Sequence, residues 1–411
     1  MATTASRHQE TGTPSAQGPY IMLGMATIGF ALTFWAWALL SPLGAHFKQS
    51  LGLSSFQQAL VVAVPVLVGA LGRIPVGALT DRFGGRLMFP VISFATIIPV
   101  LFLGLVGYRS LPGLLVGGFF LGVAGTSFAV GVPFVNAWFP AVRRGAAIGV
   151  FGMGMGGTAI SALTTIKLTA HWSIHAPFFI VAGALAAFGV IAAVVLRDSP
   201  NRQVPSQPAL SRLAAAVKLP ITWQASALYA VGFGGFVAFS VYLPTYLKNA
   251  YLLTQADAAN KMAGFVLVAV LMRPVGGWLS DRIAPAWVLA GAFAVVAAAA
   301  IGQSLTPSLA PAGTITFLAL AAALGAAAGA VFALVAQRAP AGQVGTVTGV
   351  VGAAGGLGGF FPPLVLSLIR QETGAFTWGF ILLAIFSLSC LAVCWKTASR
   401  AGAMATDGES I

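Results

Sequence analysis

The chain has 411 residues, of which 58% are hydrophobic and only 7% charged. Soluble domains carry roughly 25% charged residues, so most of this chain cannot face water. The formal charge of +13 then reads as the Lys/Arg excess of loops on one face of a membrane rather than as a nucleic-acid footprint, and no nucleic-acid partner is expected.

Residues 1–19 are polar and are expected to form a disordered cytoplasmic N-terminus without a cleavable signal, the first apolar run serving as its own insertion signal. A membrane-spanning helix needs about 20 mostly apolar residues. Such runs fall at 20–46, 56–80, 86–107, 111–137, 145–168 and 174–196, then at 222–247, 259–280, 285–304, 312–337, 344–369 and 375–396. Continuous apolar runs fit helices and not the alternation of a membrane barrel. The stretch 197–221 is the one long polar interruption and reads as a cytoplasmic linker between an N-terminal half, 20–196, and a C-terminal half, 222–396. Residues 397–411 read as a cytoplasmic tail. With both termini inside, thirteen Lys/Arg fall on cytoplasmic segments, six at the outer ends and two within spans, as the positive-inside rule requires. The expected class is an all-α polytopic membrane protein in the cytoplasmic cell membrane.

An internal repeat supports two related halves. Arg73, Gly77, Leu79, Asp81 and Arg82 in the second span answer Arg273, Gly277, Leu279, Asp281 and Arg282 in the eighth, at an offset of 200. At the same offset Gly145, Gly149, Val150, Gly152 and Gly156 answer Gly345, Gly349, Val350, Gly352 and Gly356. Parallel repeats about an axis along the membrane normal are the plan of the major facilitator fold, twelve helices in two pseudo-symmetric six-helix halves.

Arg73 and Arg273 each precede an Asp-Arg pair by eight residues, which sets them roughly 12 Å into their helices. An arginine at a helix centre costs about 2.5–3.5 kcal/mol on insertion scales, so two at equivalent positions need an explanation. No carboxylate supplies it: Glu10, Asp407 and Glu409 lie in tails, Asp81, Asp198 and Asp281 at cytoplasmic helix ends, and Asp257 and Glu372 in outer loops. Either water hydrates the guanidinium groups, or they cap carbonyls near Pro75 and Pro274, or a mobile anion pairs with them. A guanidinium fork suits planar oxyanions, which favours the last reading and a small anion as cargo.

Other features are weaker. The glycines of the fifth and eleventh spans, among them Gly154, Gly157, Gly352, Gly355 and Gly356, fit close packing and also a cavity. Phe34, Phe128, Tyr229, Phe233 and Phe332 fall on helices 1, 4, 7 and 10, central in this architecture. Asp81, Arg82 and Arg86, with Asp281 and Arg282, read as cytoplasmic gating loops in which Asp81 pairs with Arg82, Arg86 or a helix N-terminus. Cys390 and Cys394 read as ordinary thiols on a helix. No metal spacing, cofactor cradle or nucleophile–base arrangement appears, so neither cofactor nor enzyme activity is expected.

At these residues the chain resembles the nitrate/nitrite porter family of the major facilitator superfamily over roughly 20–400. The segment Thr346–Phe361 is similar to that family's second nitrate signature, and Phe233–Pro244 is typical of its seventh helix. The resemblance implies alternating-access transport of nitrate or nitrite, with Arg73 and Arg273 as paired anion-binding arginines. It implies Phe128 packing on the planar anion, and Tyr229, Phe233, Phe332 and Phe34 as further cavity residues. One departure stands in helix 5, where Met155 occupies the place of the family's usual Asn. A functional monomer is expected. Alternatives are a carrier for a small organic carboxylate such as formate or oxalate, and a nitrate-binding membrane sensor.

An inside-negative potential opposes anion entry by roughly 2.3 kcal/mol per charge per 100 mV, so uptake requires exchange or cation coupling. Arginine cannot donate its proton, and no buried carboxylate offers a carrier. Lys167 is expected to snorkel at the outer interface, and His46, His171 and His175 to lie solvated at that surface. Nitrate/nitrite exchange and proton symport both remain open on the sequence.

Overall fold

The computed structural model describes residues 18–200, 202, 204, 207–340 and 343–408, and no strand occurs among them. Among the described residues eleven helices are long and apolar enough to cross a membrane, and a bent pair makes a twelfth. In chain order they are α1 Gly18–Leu51, α2 Ser55–Leu71 plus Arg73–Phe83, α3 Gly85–Leu105, α4 Leu111–Trp138, α5 Arg144–His171 and α6 Ala176–Val195. After the linker come α7 Pro220–Tyr251, α8 Gln255–Ser280, α9 Pro285–Ser304, α10 Leu309–Arg338, α11 Val344–Thr373 and α12 Thr377–Gly408. The major facilitator arrangement expected from the repeat is thus the one observed. The start of α1, the linker and Thr397 of α12 lie at one face of the bundle, here the terminal face, where Arg143 bonds Tyr20, Ser199 bonds the Ala137 carbonyl and Arg338 bonds the Thr397 carbonyl; the loops after α1 and α7 lie at the far face.

Local chemistry sets the helix ends. Ser54 and Gln57 form a reciprocal capping box at the start of α2, with bonds of 3.1 and 2.9 Å. Thr254 accepts the Asp257 amide at 3.1 Å at the start of α8. Gly52 at φ 64° and Gly374 at φ 71° close α1 and α11 in the left-handed region that favours glycine. Large apolar side chains such as Ile98, Phe120, Val190 and Phe386 stand exposed on the rim, where lipid takes the place of water.

Several spans depart from the continuous helices expected. α1 breaks at residues 38–39, just before Pro42, which has no N–H to carry the ladder on. α2 bends by 40° between Leu71 and Arg73. α4 tightens to a 3₁₀ segment over Gly122–Thr126, and α5 over Met153–Gly156. The linker carries a short helix, Ala209–Ala216, and α12 stays helical to Gly408, past the expected end at 396. Of the expected disordered stretch, residues 1–17 lie outside the described residues, and α1 starts at Gly18.

Candidate functional site

Arg73 is the first residue after the α2 bend. Gly72 makes the bend possible by letting α4 approach: a Cβ there would stand 2.8 Å from Thr126 Cγ2. The Arg73 side chain is 3% exposed and well partnered. Its Nη1 donates to the Gly352 carbonyl of α11 at 2.5 Å and its Nε to the Gly125 carbonyl of α4 at 3.3 Å. Its guanidinium also lies 4.9 Å from the Phe128 ring centre and 5.0 Å from that of Phe233.

Arg273, 2% exposed, sits on the unbroken α8 and is treated differently. Its Nη2 donates to the Tyr229 hydroxyl at 3.3 Å, while its buried Nε and Nη1 have no hydrogen-bond partner. Its guanidinium lies 5.7 Å from the same Phe233 ring. Gly152 of α5 leaves it room, since a Cβ there would stand 2.8 Å from Arg273 Nε. The two arginines therefore share one ring. Among the described residues the ion pairs are Arg202–Asp198 and Arg212–Asp81, so neither buried arginine has a carboxylate mate. Of the sequence-based readings, carbonyl capping describes part of Arg73 and none of Arg273.

The aromatic residues close the box. Tyr229 and Phe233 stack at 4.8 Å with planes 4° apart. Phe128 lies 6.1 Å from Phe233 and 5.6 Å from Phe332, and Phe332 meets Tyr229 edge-on at 4.8 Å. The structure thus brings Arg73, Arg273, Phe128, Tyr229, Phe233 and Phe332 together. Phe34 lies one ring further out, against Phe30 at 4.4 Å and Trp37 at 4.9 Å. Phe30, 5.8 Å from Phe128, is the ring sequence reasoning missed. Its place four residues before Phe34, on the same helix face, was the available signal.

The signature glycines serve close approach. Gly154 faces Phe30, Gly157 faces the Ala31 carbonyl, Gly355 faces Tyr229 and Gly356 faces Ala70, and each would clash on gaining a Cβ. Met155 is fully buried in the hydrophobic core. At the far face the halves are tied by Ser41 Oγ to the Val241 carbonyl at 2.8 Å and Gln255 Nε2 to the Pro42 carbonyl at 2.9 Å. At the terminal face α5 meets α8, where Asp281 accepts the Ala146 amide at 3.3 Å. Burial raises the Asp281 carboxyl above its ordinary value of 3.8, and that hydrogen bond offsets part of the rise. Between α2 and α11, by contrast, a cavity of about 310 Å³ reaches from the terminal face up to Arg73.

The gating acids are partnered otherwise than expected. Asp81 binds Arg212 of the linker helix at 2.7 Å rather than Arg82 or Arg86. Arg82 instead lies with its guanidinium 5.3 Å from the Phe83 ring centre. Arg86 lies beyond the Gly84 turn at φ 84°, where its amide donates to Asp198 at 3.1 Å. Arg282 stacks on Trp278 at 3.9 Å. Nor is His175 wholly solvated: its ring bonds the Gly104 carbonyl at 2.5 Å.

The sequence matches the Major Facilitator Superfamily profile over residues 26–363 and 253–409. It is 49% identical over 387 residues to the probable nitrate/nitrite transporter NarK2 of Mycobacterium tuberculosis (strain ATCC 25618 / H37Rv), covering 94% of this chain and 97% of that one. The chain belongs to the nitrate/nitrite porter family of the major facilitator superfamily. It is also 35% identical over 381 residues to the nitrite extrusion protein of Bacillus subtilis (strain 168), covering 92% and 94%. Among solved structures, the human organic anion transporter MFSD10 superposes with a TM-score of 0.73 at 14% identity, covering 93% of this chain and 100% of that one. An inward-facing, occupied bacterial homologue of the human lysosomal transporter Spinster reaches 0.69 at 18% identity, covering 94% and 98%. At these identities the likeness is one of fold.

Proposed function

We propose that this chain carries nitrate and nitrite across the cytoplasmic membrane by alternating access, with Arg73 and Arg273 as the pair that binds the anion. The observation that carries the reading is Arg273, whose buried Nε and Nη1 have no partner in a carboxylate-free aromatic box. A buried donor left unsatisfied costs about 1–3 kcal/mol, more when charged. A planar oxyanion on either fork edge of the guanidinium, Nε–Nη2 or Nη1–Nη2, would give one of these open nitrogens a charge-assisted bond. The relatives' names, nitrate/nitrite transporter and nitrite extrusion protein, supply the anion's identity.

The same observation favours exchange. The empty carrier must bury Arg273 uncompensated to close, whereas a bound anion removes that penalty before the halves rock. No carboxylate in the box could carry a coupled proton. The Lys/Arg excess supports a cytoplasmic location for the terminal face, and with it for both termini. The far-face ties and the cavity below Arg73 then make this an inward-directed arrangement. The functional units are the halves 20–196 and 222–396 joined by 197–221. The site is complete within one chain, which fits a working monomer. Phe128, Tyr229, Phe233 and Phe332 shape the box for a flat ion, and Phe34 backs it through Phe30.

Proteoliposomes loaded with nitrite test this. Efflux should be at least tenfold faster with nitrate or nitrite outside than without. Equally fast efflux into anion-free medium would reject exchange, and no nitrate- or nitrite-dependent flux at all would reject the cargo.

A further inference from the structure

The geometry points to Arg212, on the linker helix, as a second oxyanion-binding station at the mouth of the cavity that leads from Arg73 to the terminal face. This rests on the anion-carrier reading and extends it to the release path. The cavity is lined at its deep end by Arg73 and at its mouth by Arg212, with Thr346 and Thr348 of α11 between them. Arg73 and Asp81 are eight residues apart on α2, so the two stations stand about 12 Å apart along that helix. An ion leaving Arg73 can reach Arg212 past two hydroxyl donors.

Arg212 has donors to spare. Its side chain is 16% exposed, and one nitrogen, Nη1, meets Asp81 Oδ2 at 2.7 Å. Its Nε is buried without a hydrogen-bond partner. A guanidinium offers five N–H groups in a planar fork, so a single bond to Asp81 leaves capacity for an oxyanion. Asp81 is the competitor rather than the ligand: it holds Arg212 across the mouth in the empty carrier, while Arg202 Nη2 bonds the Asp81 carbonyl at 2.8 Å and fixes the end of α2. An arriving anion takes over Arg212 and frees the linker helix, whose Ala209, Leu210 and Leu213 roof the cavity. Why a linker between two rocking halves should place an arginine inside the substrate path is thereby explained.

A pure latch and an anion station differ in what happens when the Arg212–Asp81 pair is broken from either side. In proteoliposomes of sorted orientation, the KM for nitrate in exchange is measured separately on each face for R212Q, R212K and D81N. The station predicts that R212Q raises KM at the terminal face about tenfold, the loss of one charge-assisted hydrogen bond, with the far-face KM within about twofold. R212K should fall between R212Q and wild type, and D81N should leave the terminal-face KM unchanged or lower it, because it removes the competitor. Equal effects of R212Q and D81N, or a KM rise shared by both faces, would overturn the station and leave a mechanical latch. Both variants break the same ion pair, so a folding defect from its loss would strike both. Failure of the underlying reading shows elsewhere, as wild-type protein without nitrate- or nitrite-dependent exchange.

Discussion

Three helices of the N-terminal half change course where they border the arginines, and their counterparts in the C-terminal half run straight through. α2 bends at Gly72, α4 tightens over Gly122–Thr126 and α5 over Met153–Gly156. α8, α11 and the Thr314–Arg338 stretch of α10 are unbroken. The residues fit this at α2 and α4: Gly72 corresponds to Met272 at the repeat offset of 200, and aligning Phe128 with Phe332 sets Gly122 against Ala326. At α5 glycine content does not decide, since α11 carries Gly352, Gly355, Gly356, Gly358 and Gly359 and stays helical. Glycine in a helix interior is less favourable than alanine by about 0.8–1.0 kcal/mol, and 3₁₀ turns inside helices often mark hinges. The arginines differ in step: Arg73, beside the bend, is held by two carbonyls, while Arg273, on the rigid helix, keeps two nitrogens open. The C-terminal half thus supplies a preformed socket, and the N-terminal half supplies the joint that closes on it.

The largest expected effect removes the socket or its mate. Arg73→Ala and Arg273→Ala should each cut nitrate/nitrite exchange at least about a hundredfold with expression intact, two or more charge-assisted bonds being lost. Lysine at either position should recover little, having no planar fork. Near-wild-type exchange in either alanine variant would dissolve the pairing. The glycines beside the arginines probe the asymmetry next. Gly152→Ala places a Cβ 2.8 Å from Arg273 Nε, whereas Gly352→Ala places one 3.9 Å from Arg73 Cδ and 3.4 Å from Phe128. The first should raise KM about tenfold, and the second should stay within about threefold, since overpacking costs typically about 1–3 kcal/mol and ordinary contact little. Equal effects would mean that the halves hold their arginines alike.

Smaller effects concern the joint. Gly72→Ala should lower stability by about 1–3 kcal/mol in thermal or denaturant unfolding, because its Cβ must displace Thr126 at 2.8 Å. Hydrogen exchange should be faster in 122–126 and 153–156 than in 326–330 and 353–356, with uniform protection counting against a hinged half. Smallest is the pH response of the α5–α8 contact. Burial raises the Asp281 carboxyl in this arrangement, so the joined form binds the proton more tightly. Acidification from above the raised value towards 3.8 should therefore favour the joined form, and rising pH should loosen it. Spin-label distances between the terminal ends of α5 and α8 would report this, and Asp281→Asn should flatten the response.

The sequence made the twelve spans, the repeat and both arginines legible, because hydropathy and intramembrane charge are strong signals that need no partner to be recognised. The four aromatic residues around the arginines were legible through family resemblance more than through pattern, since a phenylalanine in a membrane helix looks alike whether it faces cargo, core or lipid. The breaks were not expected, although Gly72 against Met272 carried the clue; a glycine is compatible with continuous helix until a neighbour such as Thr126 decides otherwise. Asp81 with Arg212 was beyond reach for a different reason. The pair spans 131 residues, and its geometry depends on where a polar linker settles across the mouth of the bundle.

Equilibrium binding of nitrate to the purified protein, measured by calorimetry on wild type, Arg273→Ala and Arg273→Lys, reaches the central claim without the complications of flux. One anion per chain should bind to wild type, at least tenfold more weakly to the lysine variant, and not measurably to the alanine variant. Wild-type affinity in Arg273→Ala would show that the open guanidinium nitrogens are not where the anion docks.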